Sequence, residues 1–329
     1  AVSACLPLNQ ITYALAVLVS IGASGMVAIA AGEGDKKKAN YIFSTVLALG
    51  IIFALLLAII LVPQTERLTK FLSSAEELQP LILLYIGVLV FRVPLYLMSF
   101  TWQTMLRTDG QAKIVSKSVL IGQSTNVILS FILVSNGFGI AGAGVALLVS
   151  DVIALTFMLT KYFSSKERTR HFVNVLQGEF FAQATEIIRN GIPAATSVGL
   201  ISVKIWAIYQ ILGMTGGADA MTLYAVCMAC LSVISMCIAG CNGAMMPIVG
   251  MLYGEKDFSG VRRLVKYVLK FALTLSGAFV VFVLLSPQTI LTLYNIDENL
   301  FGAGSMALRL FSISLLGVTL PFLVMYYYT

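Results

Sequence analysis

Nine stretches of this chain stay apolar for roughly 20 residues or more, at about 4–31, 40–62, 79–105, 114–135, 140–162, 190–213, 219–250, 264–286 and 302–328. At about 1.5 Å per helical residue, each can cross about 30 Å of hydrocarbon. Lipid offers a backbone no hydrogen-bond partners, so a spanning segment must be a helix or part of a closed barrel. Barrel strands alternate polar and apolar residues over about ten positions, and these runs do not. Composition points the same way. Of 329 residues only 11% are charged and 59% are hydrophobic, with mean hydropathy +0.93. Soluble domains carry about 25% charged residues, so this chain cannot cover a wetted surface. The fold class is all-α: a polytopic membrane helical bundle.

The charges that remain are unevenly shared among the loops. Alternate loops hold roughly sixteen Lys and Arg, among them Lys36, Lys37, Lys38, Lys113, Lys166, Arg168, Arg170, Arg262 and Arg263. The other set holds Arg67 and Lys70. By the positive-inside rule the richer side is cytoplasmic. The net charge of +6 is thus spread along one membrane face, and no nucleic-acid surface is expected. The chain opens at AVSACLPLNQ and closes at LPFLVMYYYT, both apolar, and it is expected to be truncated at both ends.

A repeat underlies the pattern. Gly32-Glu33-Gly34-Asp35 aligns with Gly254-Glu255-Lys256-Asp257 at an offset of 222 residues. One helix later, VPQT at 62–65 aligns with SPQT at 286–289, an offset of 224. The turns follow the first and seventh apolar runs, so the unit is six helices. Six is even, so both copies enter the membrane the same way up, as parallel repeats do in some transporters. The expected architecture is two pseudo-symmetric lobes with nine of twelve spans present.

Several stretches resemble the multidrug and toxic compound extrusion (MATE) family of transporters. These are GASGMVAIAAGEGDKKKAN at the end of the first run, LRTDGQAK at 106–113, NVILSFILVSNGFGIAGAGVAL at 126–147, RNGIPAA at 189–195 and MMPIVGMLYGEKD at 245–257. The resemblance implies an N-terminal lobe over 1–162 (family helices 2–6) and an amphipathic cytoplasmic linker over 163–189. A C-terminal lobe over 190–329 (family helices 7–10) completes it. It also implies a monomer in the plasma (inner) membrane that handles small-molecule organic substrates within the lipid bilayer. Amphipathic, often cationic, compounds would leave in exchange for Na⁺ or H⁺ as the lobes rock. No covalent chemistry and no cofactor beyond the coupling ion are expected.

The chain has no G-x-x-x-x-G-K-[ST] loop, so an ion gradient is the simpler energy source. Four charges fall seven or more residues from either end of their apolar run: Arg92, Asp151, Lys204 and Arg309. A charge at mid-bilayer costs at least about 2.5–3.5 kcal/mol, so such residues face protein or water. Asp151, the one acid among these four, reads either as a proton or Na⁺ site or as a structural hydrogen-bonded acid. Gln123, Asn126 and Ser130 share one helix face by their i, i+3, i+7 spacing. Many members of the family carry Asn-x-x-x-Asp there. This chain has Ser130 at the acid's position, and the expectation is that Asp151 on the next helix replaces it.

Lys204 reads as a cavity-lining cation or as a lysine snorkelling outward. Arg92 stands two residues before Pro94, whose ring frees a backbone carbonyl that the guanidinium could take. Arg309 reads as an interfacial anchor. Asn9 and Tyr13, at i and i+4, together with Trp206 and Met236, are further candidates to line a substrate cavity. Each of these has packed or lipid-facing bulk as its plain alternative.

Cys227, Cys230, Cys237 and Cys241 lie within about 80° on one helix face but span about 21 Å, too far for one metal. His171 reads as a solvated linker residue. Two rivals remain. A lipid-linked oligosaccharide flippase of the same superfamily would favour cationic groups such as Arg92 and Lys204. A membrane-embedded enzyme would need a convergent catalytic set, which the sequence does not offer.

Overall fold

A computed structural model describes residues 6–65, 67, 79–165, 170–175, 179–215, 217–294 and 296–328; some helical side chains, including those of Trp206, Tyr209 and Asn242, lie outside the described set. Cys5, Lys70, Lys166 and Arg168 also fall outside it. Nine long helices appear among the described residues: α1 (Leu6–Gly32), α2 (Lys36–Leu61), α3 (Gln79–Thr108), α4 (Ala112–Leu133), α5 (Gly139–Ser164), α6 (Phe180–Thr215), α7 (Gly217–Gly254), α8 (Phe258–Leu285) and α9 (Phe301–Tyr328). A short helix, Pro287–Leu293, follows α8. No strand occurs among the described residues. Six of the described segments are long and apolar enough to cross a membrane, one of them running through both α4 and α5.

Lipid as solvent explains the surface. On α2, Ile51, Ile52, Leu55, Leu56, Ile59 and Ile60 are all exposed, an apolar face no soluble helix would leave to water. The opposite face carries Ile42, Phe43, Val46 and Leu49 into the core.

The repeated turns are built alike. After α1, Glu33, Gly34 and Asp35 return their amides to the carbonyls of Ile29, Ala31 and Ala30 at 2.9, 3.1 and 3.0 Å. After α7, Glu255, Lys256 and Asp257 return theirs to Met251, Tyr253 and Leu252 at 2.9, 3.0 and 2.9 Å. Both turns need one left-handed residue to bend the chain off the helix end. Gly34 takes φ 77° in one and Lys256 takes φ 61° in the other. Asp35 then caps α2, accepting from the Lys38 amide at 3.0 Å. Asp257 caps α8, accepting from the Gly260 amide at 2.9 Å.

Residues 1–200 form one compact unit and residues 201–329 another, each with its own core. In the first unit, Val19, Ala23 and Val27 of α1 pack with Phe43 of α2, Trp102 and Met105 of α3, Tyr162 of α5, and Ala184 and Ile187 of α6. In the second, Val226 and Cys227 of α7 pack with Val283 of α8, Ile290 and Leu291 of the short helix, and Leu308 of α9.

Two features depart from expectation. α6 begins at Phe180, ten residues before the apolar run at 190. Its first turns are amphipathic, with Ala184 and Ile187 buried while Thr185 and Glu186 are exposed, so a mean-hydropathy reading misses them.

The linker, second, is pinned to the first unit over residues 170–175. The His171 and Val173 amides donate to Asn40 Oδ1 at 3.2 Å and Ser44 Oγ at 3.0 Å. Tyr41 donates its hydroxyl to the Val175 carbonyl at 3.3 Å. The buried Arg170 guanidinium stands 3.7 Å from Asp109 Oδ1. The side chain of His171 itself is exposed.

Candidate functional site

The first unit holds a cavity of about 300 Å³ lined by Asn9, Gln10, Thr12 and Tyr13 of α1 and by Leu89, Arg92, Val93 and Tyr96 of α3. Two i, i+4 pairs build it. Asn9 with Tyr13 and Arg92 with Tyr96 place one polar and one aromatic group in register on each helix. Gln10 and Thr12 were not singled out by sequence reasoning. Both are ordinary polar residues at the start of an apolar run, and only the packing distinguishes them.

Among the described residues, Arg92 carries the one charge in the cavity's lining. Its Nε donates to Asp151 Oδ2 of α5 at 2.7 Å, a charge-assisted bond. A terminal nitrogen reaches toward Asn9 Oδ1 at 3.5 Å, at the limit of a hydrogen bond. The guanidinium carbon lies 5.1 Å from the centre of the Tyr96 ring, within cation–π range. Tyr96 stacks on Phe100 at 6.3 Å, and Tyr13 meets the same ring edge-on at 5.6 Å. Both ionic side chains are largely shielded, at 16% exposure for Arg92 and 19% for Asp151. That leaves room for a proton or a water to reach them.

The cavity wall includes Arg92 but not Asp151, so the carboxylate stands behind the guanidinium. With Asp151 ionised, the pair as a whole carries no net charge.

Asp151 does not join the Asn126 face as expected. α4 meets α5 through Gly122, where an added β-carbon would lie 2.9 Å from Ala154 Cβ and 3.4 Å from the Ser150 carbonyl. Ser118 donates to the Ala154 carbonyl at 2.7 Å. Ser150 and Ala154 therefore face α4. Asp151 is about 100° further round the helix and turns to α3 instead. Asn126 accepts a hydrogen bond from Ser130 at 2.9 Å, and Gln123 is exposed. Among the described residues no hydrogen bond links Asp151 to Asn126, Ser130 or Gln123. Nor does Arg92 bond the carbonyl that Pro94 frees, because Asp151 and Asn9 already engage it.

In the second unit, Lys204, Met236 and Arg309 expose their side chains, and Trp206's lies outside the described set. The four described cysteines are free thiols, with Cys227 buried and Cys237 exposed. Among the described residues no cluster of His, Cys, Asp or Glu could hold a metal ion.

Long apolar helices around a cavity lined by one member of an ion pair define a multi-pass membrane protein of the transporter type. A sequence model of the MatE family matches residues 1–132 and 193–327, and the chain belongs to that family. Curated relatives include the multidrug export protein MepA of Staphylococcus haemolyticus (strain JCSC1435). It is 24% identical over 321 residues, which cover 96% of this chain and 70% of MepA. The probable multidrug resistance protein YoeA of Bacillus subtilis (strain 168) is 21% identical over 91% of this chain and 66% of its own. Among solved structures, an outward-facing multidrug resistance MATE family transporter of the MOP superfamily superposes with a TM-score of 0.92. It is 21% identical, and the match covers 99% of this chain and 73% of that one. The all-α, two-lobe fold expected from the sequence is the fold of these structures.

Proposed function

We propose that the protein is a secondary active exporter of amphipathic organic compounds, driven by protons through the Arg92–Asp151 pair. The observation that carries this reading is an ion pair whose guanidinium lines a cavity inside an otherwise lipid-facing bundle. The relatives' names, multidrug export and multidrug resistance, point to the same activity.

Antiport requires that proton and substrate exclude each other. The pair supplies that rule electrostatically. With Asp151 ionised the pair has no net charge, and the rings of Tyr13 and Tyr96 in the cavity wall, packed on Phe100, can receive a lipophilic cation. With Asp151 protonated the site carries one positive charge on Arg92, and a cation is expelled. Rocking of the lobes then exposes the site alternately to each side of the membrane. No bond is made or broken.

Geometry favours H⁺ over Na⁺ as the coupling ion. A sodium ion on Asp151 would stand near the guanidinium, and two like charges at about 5 Å repel by roughly 3 kcal/mol at an effective dielectric of about 20. A proton neutralises the carboxylate without adding a second centre of charge.

The test uses full-length protein in proteoliposomes loaded with a lipophilic cationic dye. Dye movement should follow an imposed pH gradient and ignore a Na⁺ gradient, and Asp151→Asn should lose the pH response. Dye movement indifferent to pH in the wild type, or an unimpaired response in the variant, would defeat the reading.

A further inference from the structure

The two repeats treat one helix face differently. α2 and α8 follow the equivalent turns, and an offset of 222 residues puts the cap Asp35 on Asp257 and the Lys38 amide on that of Gly260. Burial keeps the same register along the helices. Ala39, Gly50 and Ala54 are buried on α2, and so are their counterparts Val261, Ala272 and Ser276 on α8. Asn40, Tyr41 and Ser44, which hold linker residues 170–175 on α2, therefore correspond to Arg262, Arg263 and Lys266. In the first unit this face is covered. Ser44 is buried, and Phe172 of the linker meets Phe43 edge-on at 5.9 Å. In the second unit it is bare. Arg262, Arg263 and Lys266 are exposed, as are Tyr267, Lys270 and Phe271 further along.

The uncovered face is strongly basic. At about 100° per residue, Arg262, Lys266, Lys270 and Arg263 fall within an arc of about 100°, along about 12 Å of helix. Tyr267 and Phe271 border that arc on one side. Among the described residues none of the four cations forms an ion pair, and Asp257 accepts instead from the Gly260 amide and the Ser259 hydroxyl. Topology alone does not call for this pattern. Charges that orient a chain sit at helix ends, as Lys36, Lys37 and Lys38 do at the start of α2. Lys266 and Lys270 stand nine and thirteen residues past the cap, where α2 has Ser44 and Ala48.

We propose that this face of α8 binds an anionic phospholipid of the cytoplasmic leaflet by its phosphate. Charge selects the headgroup, because anionic lipids attract basic segments at the cytoplasmic membrane surface. Helix direction sets the reach. α8 leaves a turn that the charge rule puts in the cytoplasm, and side chains lean toward a helix's N-terminus. The long stems of Lys266 and Lys270 thus carry their ammonium groups back to headgroup level. The rings of Tyr267 and Phe271 lie against the glycerol and the upper acyl chains. In the first repeat the linker fills the same place through hydrogen bonds to Asn40, Tyr41 and Ser44. In the second, lipid fills it through charge. The site stands apart from the Arg92–Asp151 pair, and neither depends on the other.

The test is lipid retention by full-length protein. Protein in detergent is mixed with equal amounts of phosphatidylglycerol and phosphatidylcholine of matched acyl chains, and bound lipid is read by native mass spectrometry. Wild-type protein should retain the anionic lipid about tenfold over the neutral one. Arg263→Gln with Lys266→Gln and Lys270→Gln should bring the two lipids close to parity. Lys36→Gln with Lys37→Gln and Lys38→Gln should leave the preference unchanged, and so should Lys266→Arg with Lys270→Arg, which keeps the charge.

Equal retention of both lipids by wild-type protein would overturn the proposal. So would an α8 triple variant that elutes as intact protein and keeps the wild-type preference, the result expected if another segment of chain covers this face. Loss of the preference in both triple variants would show a general effect of charge and would overturn the site as well. Millimolar inorganic phosphate should not displace the lipid, and displacement would make this a site for free phosphate instead.

Discussion

The turn at Gly32–Asp35 and the turn at Gly254–Asp257 lie 222 residues apart and have the same backbone, with matching carbonyl acceptors and a capping aspartate in each. The interiors behind them do not match. The first unit holds the cavity and the Arg92–Asp151 pair. The second packs Cys227, Leu291 and Leu308 into an apolar core and leaves Lys204 exposed. A duplicated lobe thus keeps what fixes its topology and is free to change its chemistry. A turn must reverse the chain wherever it occurs, whereas the proposed mechanism needs its ion-coupled site only once.

Five single substitutions probe this contrast, and they are ordered by expected effect. Arg92→Ala leaves Asp151 buried without its partner. Breaking a buried pair costs about 3–5 kcal/mol, and the residual exposure of both side chains puts this one at the low end. Thermal unfolding of purified protein in detergent should show it, and Arg92→Met with Asp151→Leu should recover most of the loss.

In the turns the effects are smaller. Asp35→Ala removes the cap of α2 and should cost about 1 kcal/mol. Lys256→Gly relieves a left-handed lysine and should gain about 1 kcal/mol, whereas Gly34→Lys should lose a similar amount. A gain from both exchanges would show that the turns are not equivalent. Lys204→Ala should leave stability within about 0.5 kcal/mol, as for an exposed residue.

The second turn also carries a pH signature. The Gly260 amide and the Ser259 hydroxyl, donating to its carboxylate, hold Asp257 below the usual carboxylate range. A depressed folded value means that the cap's contribution is present above the ordinary aspartate range. It is lost as pH falls through the folded value. Protection of the amides at the start of α8, taken relative to the intrinsic exchange rate at each pH, should therefore fall in acid, and Asp257→Asn should flatten that fall.

Much of this was legible in the sequence, for identifiable reasons. Length and apolar continuity specify membrane helices, because lipid permits little else. The cap aspartates and the left-handed position recur within short motifs, so the repeat could be read directly. The partner of Asp151 could not. Its spacing along the chain placed it near α4, but one residue is about 100° of rotation, and the Gly122 contact turned Ser150 to that side instead. The start of α6 was hidden because its first turns bury only one face.

The pair's charge rule is tested most directly by dye binding at equilibrium, measured against pH on full-length protein in detergent. Wild-type protein should lose affinity for a lipophilic cation as pH falls. Asp151→Asn, held at one positive charge, should bind weakly at every pH. Wild-type binding that is flat with pH, or Asp151→Asn binding that matches wild type at high pH, would contradict it.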